Sequence, residues 1–414
     1  MVEDLKVLRA KRLIDGTGSD PIENNPVVVV SGSKILDVGS ESDVDIPQQN
    51  VTEIDLPELT ILPGLIDQHI HLGLPADGRP YEQTMQDSDA LLLIAAVNNA
   101  YKALNVGLTT VVDCGTRNRV IFDLKAASER GLIETPRLFV CGRPLTMTGG
   151  HFWFCNNEVD GPDEVRRGVR TLLKEGADFI KIMASGGGTA NTDVSRASFS
   201  VEELKAIIEQ AQTYGVITKA HCLSSDSINN AIEAGIHCIE HIGFIDVDGT
   251  RAFHEDSVRK IVNQGIYVSP TIQTGFRQRE RLLEKAKLQP LSAKEQATAD
   301  SLKYKHTQKL ANLTKLYQMG VTLLGGSDAG CGSSQTDDYV FGLELMVQAG
   351  MTPREVITAA TFKNAEALQL KDSIGSLESG KIADIIAVRG NPFEDITTLH
   401  NLELIMLGGD VVRR

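Results

Sequence analysis

Between Ile61 and residue 326 the chain alternates short apolar runs with longer amphipathic stretches, its apolar spacing switching back and forth between the strand and the helix period. Strands are predicted near 61–70, 108–113, 137–142, 178–183, 216–221, 236–241, 266–271 and 321–326. The helices between them include Val201 to Tyr214, which opens with Ser200 as N-cap and Glu203 three residues on, a capping box. Such alternation is the pattern of βαβ units around a parallel sheet. Eight units suit a closed barrel better than an open doubly wound sheet, which would also want a glycine-rich dinucleotide turn. Gly186-Gly187-Gly188 follows a strand but lacks that spacing, and reads as a flexible active-site loop.

Both ends of the chain read differently. Val27–Val30 and Lys34–Val38 are short β-type runs without a long helical pattern nearby, and Ile382–Val388 and Leu404–Leu407 are again β-like around a Gly390-Asn391-Pro392 turn. The expected fold is α/β: a (β/α)8 TIM barrel over residues 61–370, with a small β-sandwich domain built from both termini, 1–60 and 371–414.

Composition narrows the function. Hydrophobic residues make up 42% and charged residues 23%, the balance of a globular chain with a well-filled core. A formal charge of −14 argues against nucleic-acid binding, which rests on clustered Lys and Arg. No run of about 18 apolar residues suggests a membrane span, and the first residues lack the apolar core of a secretory signal. A cytoplasmic protein with no membrane partner is expected. The six cysteines are scattered without a Cys-x-x-Cys pair, and are read as reduced, small buried hydrophobes.

The densest chemistry is Gly64-Leu65-Ile66-Asp67-Gln68-His69-Ile70-His71, a strand ending in two histidines two residues apart. Strand alternation turns both to one side, in a barrel the interior at the carboxyl end, where active sites of this fold form. His221 and His241 end the fifth and sixth predicted strands, and Asp328 lies just past the eighth. Four imidazoles and a carboxylate on one rim make a metal site. Lys181 lies inside the apolar strand Phe179-Ile180-Lys181-Ile182-Met183, where a buried ammonium needs something to neutralise it. His151 follows strand 3 at the same rim and could polarise a carbonyl. Trp153, between Phe152 and Phe154, could wall a substrate pocket, and Arg196 and Arg277 could grip a substrate carboxylate.

With His69-x-His71, Lys181, His221, His241, Asp328 and the phrase Ile374-Gly375-Ser376-Leu377-Glu378-Ser379-Gly380-Lys381-Ile382-Ala383-Asp384 in the family's order, the sequence resembles the amidohydrolase superfamily over essentially its whole length. It is most similar to the branch related to imidazolonepropionase and labelled Xaa-Pro dipeptidase. The resemblance implies two divalent metal ions, for which nitrogen and oxygen ligands favour zinc. It implies that Lys181 is carboxylated and bridges them, with His69, His71 and Asp328 on one metal and His221 and His241 on the other. It further implies hydrolysis of an amide C–N bond in a dipeptide or N-acyl amino acid, Asp328 acting as general base and then acid. A urea, carbamate or cyclic amide is the alternative substrate, and a non-catalytic scaffold the alternative of another class. A homo-oligomer acting on a small-molecule amide is expected. Two departures stand out: Phe152-Trp153 follow Gly149-Gly150-His151, where peptidase members often carry a small residue and an acid, which points to a more apolar pocket, and Leu223 stands where many relatives carry a histidine, which points to different contacts with the ligands or the substrate.

Overall fold

The computed structural model describes residues 5–46 and 50–413. Four strands come first: β1 (Leu5–Leu13), β2 (Pro26–Ser31), β3 (Lys34–Ser40) and β4 (Val51–Pro63). Strand and helix then alternate: β5 (Leu65–Ile70), α1 (Asp89–Asn105), β6 (Leu108–Asp113), α2 (Val120–Glu129), β7 (Arg137–Val140), α3 (Gly161–Glu175), β8 (Ile180–Met183), α4 (Val201–Thr213) and β9 (Thr218–His221). The alternation continues through α5 (Ser225–Ala234), β10 (Cys238–Glu240), α6 (Glu255–Gln264) and β11 (Tyr267–Ser269), after which a helical hairpin, α7 (Phe276–Leu288) and α8 (Ala293–Gln318), is inserted. Helices α9 (Tyr339–Gln348), α10 (Pro353–Ala360) and α11 (Phe362–Ala367) lead to β12 (Ile385–Arg389), β13 (Leu402–Leu407) and β14 (Asp410–Arg413). Ser200 and Glu203 do form the capping box that starts α4.

Strands β5-β6-β7 and β8-β9-β10-β11 form two parallel arcs. A parallel bridge between Leu145 and Ile182 joins the arcs at one seam. At the other, residues 321–329 fill the eighth strand's place, Leu323 bridging Val268 and Ala329 bridging Ile70. This segment is expected as a strand over 321–326 but forms no continuous ladder. The Asp67 carboxylate instead accepts the Ser327 N–H at 3.0 Å and the Ser327 hydroxyl, pinning the eighth segment to the first strand. Barrel strands are buried on both faces, so their residues join one large apolar core with the inner faces of the helices.

The expected strand at 61–70 is two strands that divide at Gly64. A Cβ there would stand 2.1 Å from the Thr109 hydroxyl, so the backbone can pass only as glycine. Upstream, β4 belongs to a seven-stranded sheet of order β14-β13-β12-β4-β1-β2-β3, pairing parallel with β1 and antiparallel with β12. Leu8, Val28 and Val30 from one half of this sheet share a core with Ile385, Ala387 and Met406 from the other, which gives the terminal domain its two-layered interior. Alternate residues, Ile386 and Val388, face the barrel core. No helix among the described residues is long and apolar enough to cross a membrane.

Candidate metal centre

His69 and His71 close β5 with their rings 5.2 Å apart. The His69 ring lies 5.0 Å from that of His241, His241 lies 4.5 Å from His221, and His221 lies 4.6 Å from His151. Five imidazoles drawn from four segments therefore make one continuous arc at the carboxyl end of the barrel. Asp328 Oδ1 stands 3.4 Å from the Nε2 atoms of both His69 and His71, which are 3.3 Å from each other.

In each imidazole one nitrogen is taken by the protein. His69 Nδ1 donates to Glu240 at 2.7 Å, and His71 Nδ1 to the Gly115 carbonyl at 3.0 Å. His241 Nδ1 meets the Thr271 hydroxyl at 2.7 Å, and His221 Nε2 the Gly186 carbonyl at 3.0 Å. His151 Nδ1 lies 2.8 Å from the Thr189 hydroxyl and accepts the Thr189 N–H at 3.4 Å, which leaves the His151 proton on Nε2.

Burial, reinforced by the Lys181 ammonium, pushes His69 down to about 4 and His221 down to about 3. Burial and the neighbouring His221 hold His241 and His151 well below the usual imidazole range. Neutral rings are the form that ligates metal. Burial alone would raise Asp328, but His69, His71 and Lys181 outweigh it and keep the carboxylate ionised.

The donor set fits a divalent cation. Ligands about 2.1 Å from one ion in a tetrahedron stand about 3.4 Å apart, the spacing found among His69, His71 and Asp328. Lys181 Nζ is fully buried with no hydrogen-bond partner, a group that would cost several kcal/mol unless something in the site engages it. Cys114 also approaches His69 and Glu240, with its thiol pushed up to about 12 by burial.

Several functional residues escape sequence reasoning. Glu240 is completely buried and bonds Lys219 Nζ at 2.9 Å as well as His69. Lys219 stands two residues before His221 on β9, one layer deeper in the barrel, and also donates to Gln68 Oε1 at 2.9 Å. The available signal was a charged residue inside each of the short strands β9 and β10. Glu240→Gln should weaken metal binding about 10- to 100-fold by freeing the His69 ring. It should also destabilise the fold by roughly 3 kcal/mol by stranding the Lys219 charge. Chelator competition and thermal melts read these separately, and an unchanged metal affinity would remove Glu240 from the orienting role.

Other expected site residues lie elsewhere. Phe152 adopts a left-handed backbone, φ 64°, that turns its ring against His71 at 4.9 Å; Trp153 then packs on Phe154 outside the pocket lining. Arg196 is exposed and pairs with Asp193, while Arg277 is held by Asp338 and Glu280, so neither reaches the pocket. The Gly186–Gly188 loop is packed rather than loose. A Cβ on Gly187 would stand 2.4 Å from His151 Nε2, so glycine serves close approach there.

A cavity of about 230 Å³ opens over the arc, walled on its apolar side by Tyr81, Phe152, Met183 and Leu223. A sequence model described as the amidohydrolase family matches residues 60–412. The chain is 30% identical to an ochratoxinase of Aspergillus niger over 94% of this chain and 82% of the relative. An imidazolonepropionase of Fusobacterium nucleatum is 23% identical over 88% and 85%. Among solved structures, a Xaa-Pro dipeptidase with bound methionine in the active site superposes with a TM-score of 0.84 at 29% identity, over 99% of this chain and 100% of that one. A family match spanning the barrel and most of the carboxyl-terminal strands, on a chain whose histidine arc has the donors that family uses for divalent metals, leaves one conclusion: this protein belongs to the amidohydrolase family.

Proposed function

We propose that this chain hydrolyses the amide C–N bond of a dipeptide or N-acyl amino acid at a two-metal centre. His69, His71 and Asp328 would hold one ion, His221 and His241 the other, with Lys181, carboxylated, between them. Zinc suits these nitrogen and oxygen donors. The observation that carries the reading is Lys181 Nζ, buried and unpartnered beside an arc of neutral imidazoles. When bound, such ions acidify water and polarise a carbonyl.

The chain's own groups supply the rest. Asp328, ionised and facing the cavity, can accept the proton of an attacking water and return it to the departing amine. His151, with its proton on Nε2, offers a hydrogen bond to a carbonyl oxygen as charge develops there. The wall of Tyr81, Phe152, Met183 and Leu223 suits an apolar group and sheds water. The solved relative named a Xaa-Pro dipeptidase, with methionine bound in its active site, supports amide chemistry next to an amino-acid moiety.

Removal of metal by a chelator is expected to abolish amide hydrolysis, and readdition of zinc, manganese or cobalt to restore it. The assay should set dipeptides and N-acyl amino acids beside phenylureas and carbamates. Turnover that survives verified metal removal, or kcat/KM values orders of magnitude higher for the ureas and carbamates, would overturn the proposal.

A further inference from the structure

Helix α8 presents Leu302, Lys305, His306 and Lys309 to the same cavity, a spacing of i, i+3, i+4 and i+7 that puts them on one face. Arg251, in the loop after β10, lines the cavity too. In a chain with 55 acidic and 41 basic residues, these three cations are unusual: among the described residues, none of Arg251, Lys305 and Lys309 has a carboxylate within ion-pair distance.

Two of them, Arg251 and Lys309, are anchored by backbone carbonyls of the turns that surround the histidine arc. Arg251 Nη1 donates to Gly243 O at 3.1 Å, two residues past His241. Lys309 Nζ lies 3.5 Å from Thr271 O, and the Thr271 hydroxyl is the one that meets His241. Beside them the His306 ring stacks on Phe276 at 3.7 Å, and neither of its nitrogens has a side-chain partner. Burial, with Arg251 and Lys305 adding repulsion, brings Lys309 down to about 8, while the Asp328 charge acts in the opposite sense. Three like charges around one opening, none with a carboxylate of the chain within ion-pair distance, make a receptor for an anion supplied from outside.

We infer that Arg251, Lys305 and Lys309 form the subsite for a free carboxylate on the leaving amino acid, so that the substrates are amides whose amine half ends in an unblocked carboxyl group. This deepens the amide-hydrolase reading and rests on it. The leaving side is assigned because Lys309 and Asp328, the group proposed to hand a proton to the departing amine, line the same cavity. The ordinary alternative, lysines on a solvated helix face, accounts for Lys305 alone, which is exposed. It does not account for Lys309 and Arg251, which are partly buried and bonded to the turns of the metal centre.

The test compares N-acetyl-L-phenylalanine with its carboxamide, N-acetyl-L-phenylalaninamide, following release of acetate by the metal-loaded protein. The wild type is expected to favour the acid by about 100-fold in kcat/KM. In Lys305→Gln/Lys309→Gln the ratio of the two should collapse to within about threefold. A merely structural role would lower both rates and leave the ratio standing, which overturns the assignment. Equal rates in the wild type also overturn it while leaving amide hydrolysis intact. If the wild type cleaves neither compound, amide hydrolysis is what fails, and calorimetry on the wild type then decides the subsite. L-phenylalanine binding at least about tenfold tighter than L-phenylalaninamide supports the subsite, and equal affinity ends it. The calorimetric arm also covers a double variant that does not fold.

Discussion

Asp328→Asn is expected to lower kcat by about three orders of magnitude or more, the scale of losing a positioned proton-transfer group, while the melting temperature moves by no more than about 3 °C. The backbone explains why asparagine is the right probe. Asp328 sits at φ 55°, a left-handed conformation that costs most residues roughly 1–2 kcal/mol and that asparagine adopts readily. Its N–H bond to His69 O, 2.7 Å, belongs to the main chain and survives the change. What disappears is the carboxylate whose Oδ1 stands 3.4 Å from His69 and His71. Metal content measured on the same sample separates two origins of the loss. Near-full occupancy with little turnover assigns the effect to proton transfer, and depleted metal assigns it to ligation. Turnover within about tenfold of wild type with the fold intact would remove Asp328 from its role.

Lys181→Ala should be as damaging by a different route. The wild-type lysine reaches from β8 into the centre with no protein partner for Nζ, so its removal breaks no hydrogen bond of the fold. It does remove the group proposed to bridge the two ions. Metal analysis should therefore fall below two ions per chain, and kcat/KM by about three orders of magnitude or more. Because alanine leaves space at that position, a small carboxylate such as formate should restore part of the activity by occupying it. An amine of similar size should not. Full metal content and turnover in Lys181→Ala would show that the lysine is dispensable, and rescue by methylamine rather than formate would show that it acts as a cation and not as a carboxylated ligand.

The strain in the backbone lies where this chemistry is proposed. His241, Ile242 and Phe244 all have positive φ, as do Thr271, Asp328 and Phe152. β10 ends at Glu240, so regular alternation would send His241 away from Glu240. The left-handed turn returns the His241 ring to within 5.0 Å of the His69 ring, and the two neighbours thus serve one centre in different ways: Glu240 orients His69, and His241 faces the cavity. Non-glycine residues persist in such conformations only where their surroundings hold them. Here the Ser269 carbonyl accepts the His241 N–H at 2.8 Å, and the Thr271 hydroxyl fixes its ring.

The alternation of strand and helix periods was enough to read the barrel, because βαβ units bury their strands on both faces and leave a periodic record along the chain. Strand parity was enough to pair His69 with His71, and a charged residue inside an apolar strand was enough to single out Lys181. Those are local properties, written in neighbouring residues. What faces the substrate depended on contacts between distant segments, to which no local period corresponds. Arg277 looked available until Asp338, from 61 positions away, paired with it. Nothing local distinguishes Lys305 and Lys309 from the other polar positions of a long helix; the hairpin lays their face over the cavity. The tautomer of His151 was settled by Thr189, and the orientation of His69 by Glu240, 171 positions on. Periodicity records which way a side chain points from its own element; only the packing of elements decides what it meets.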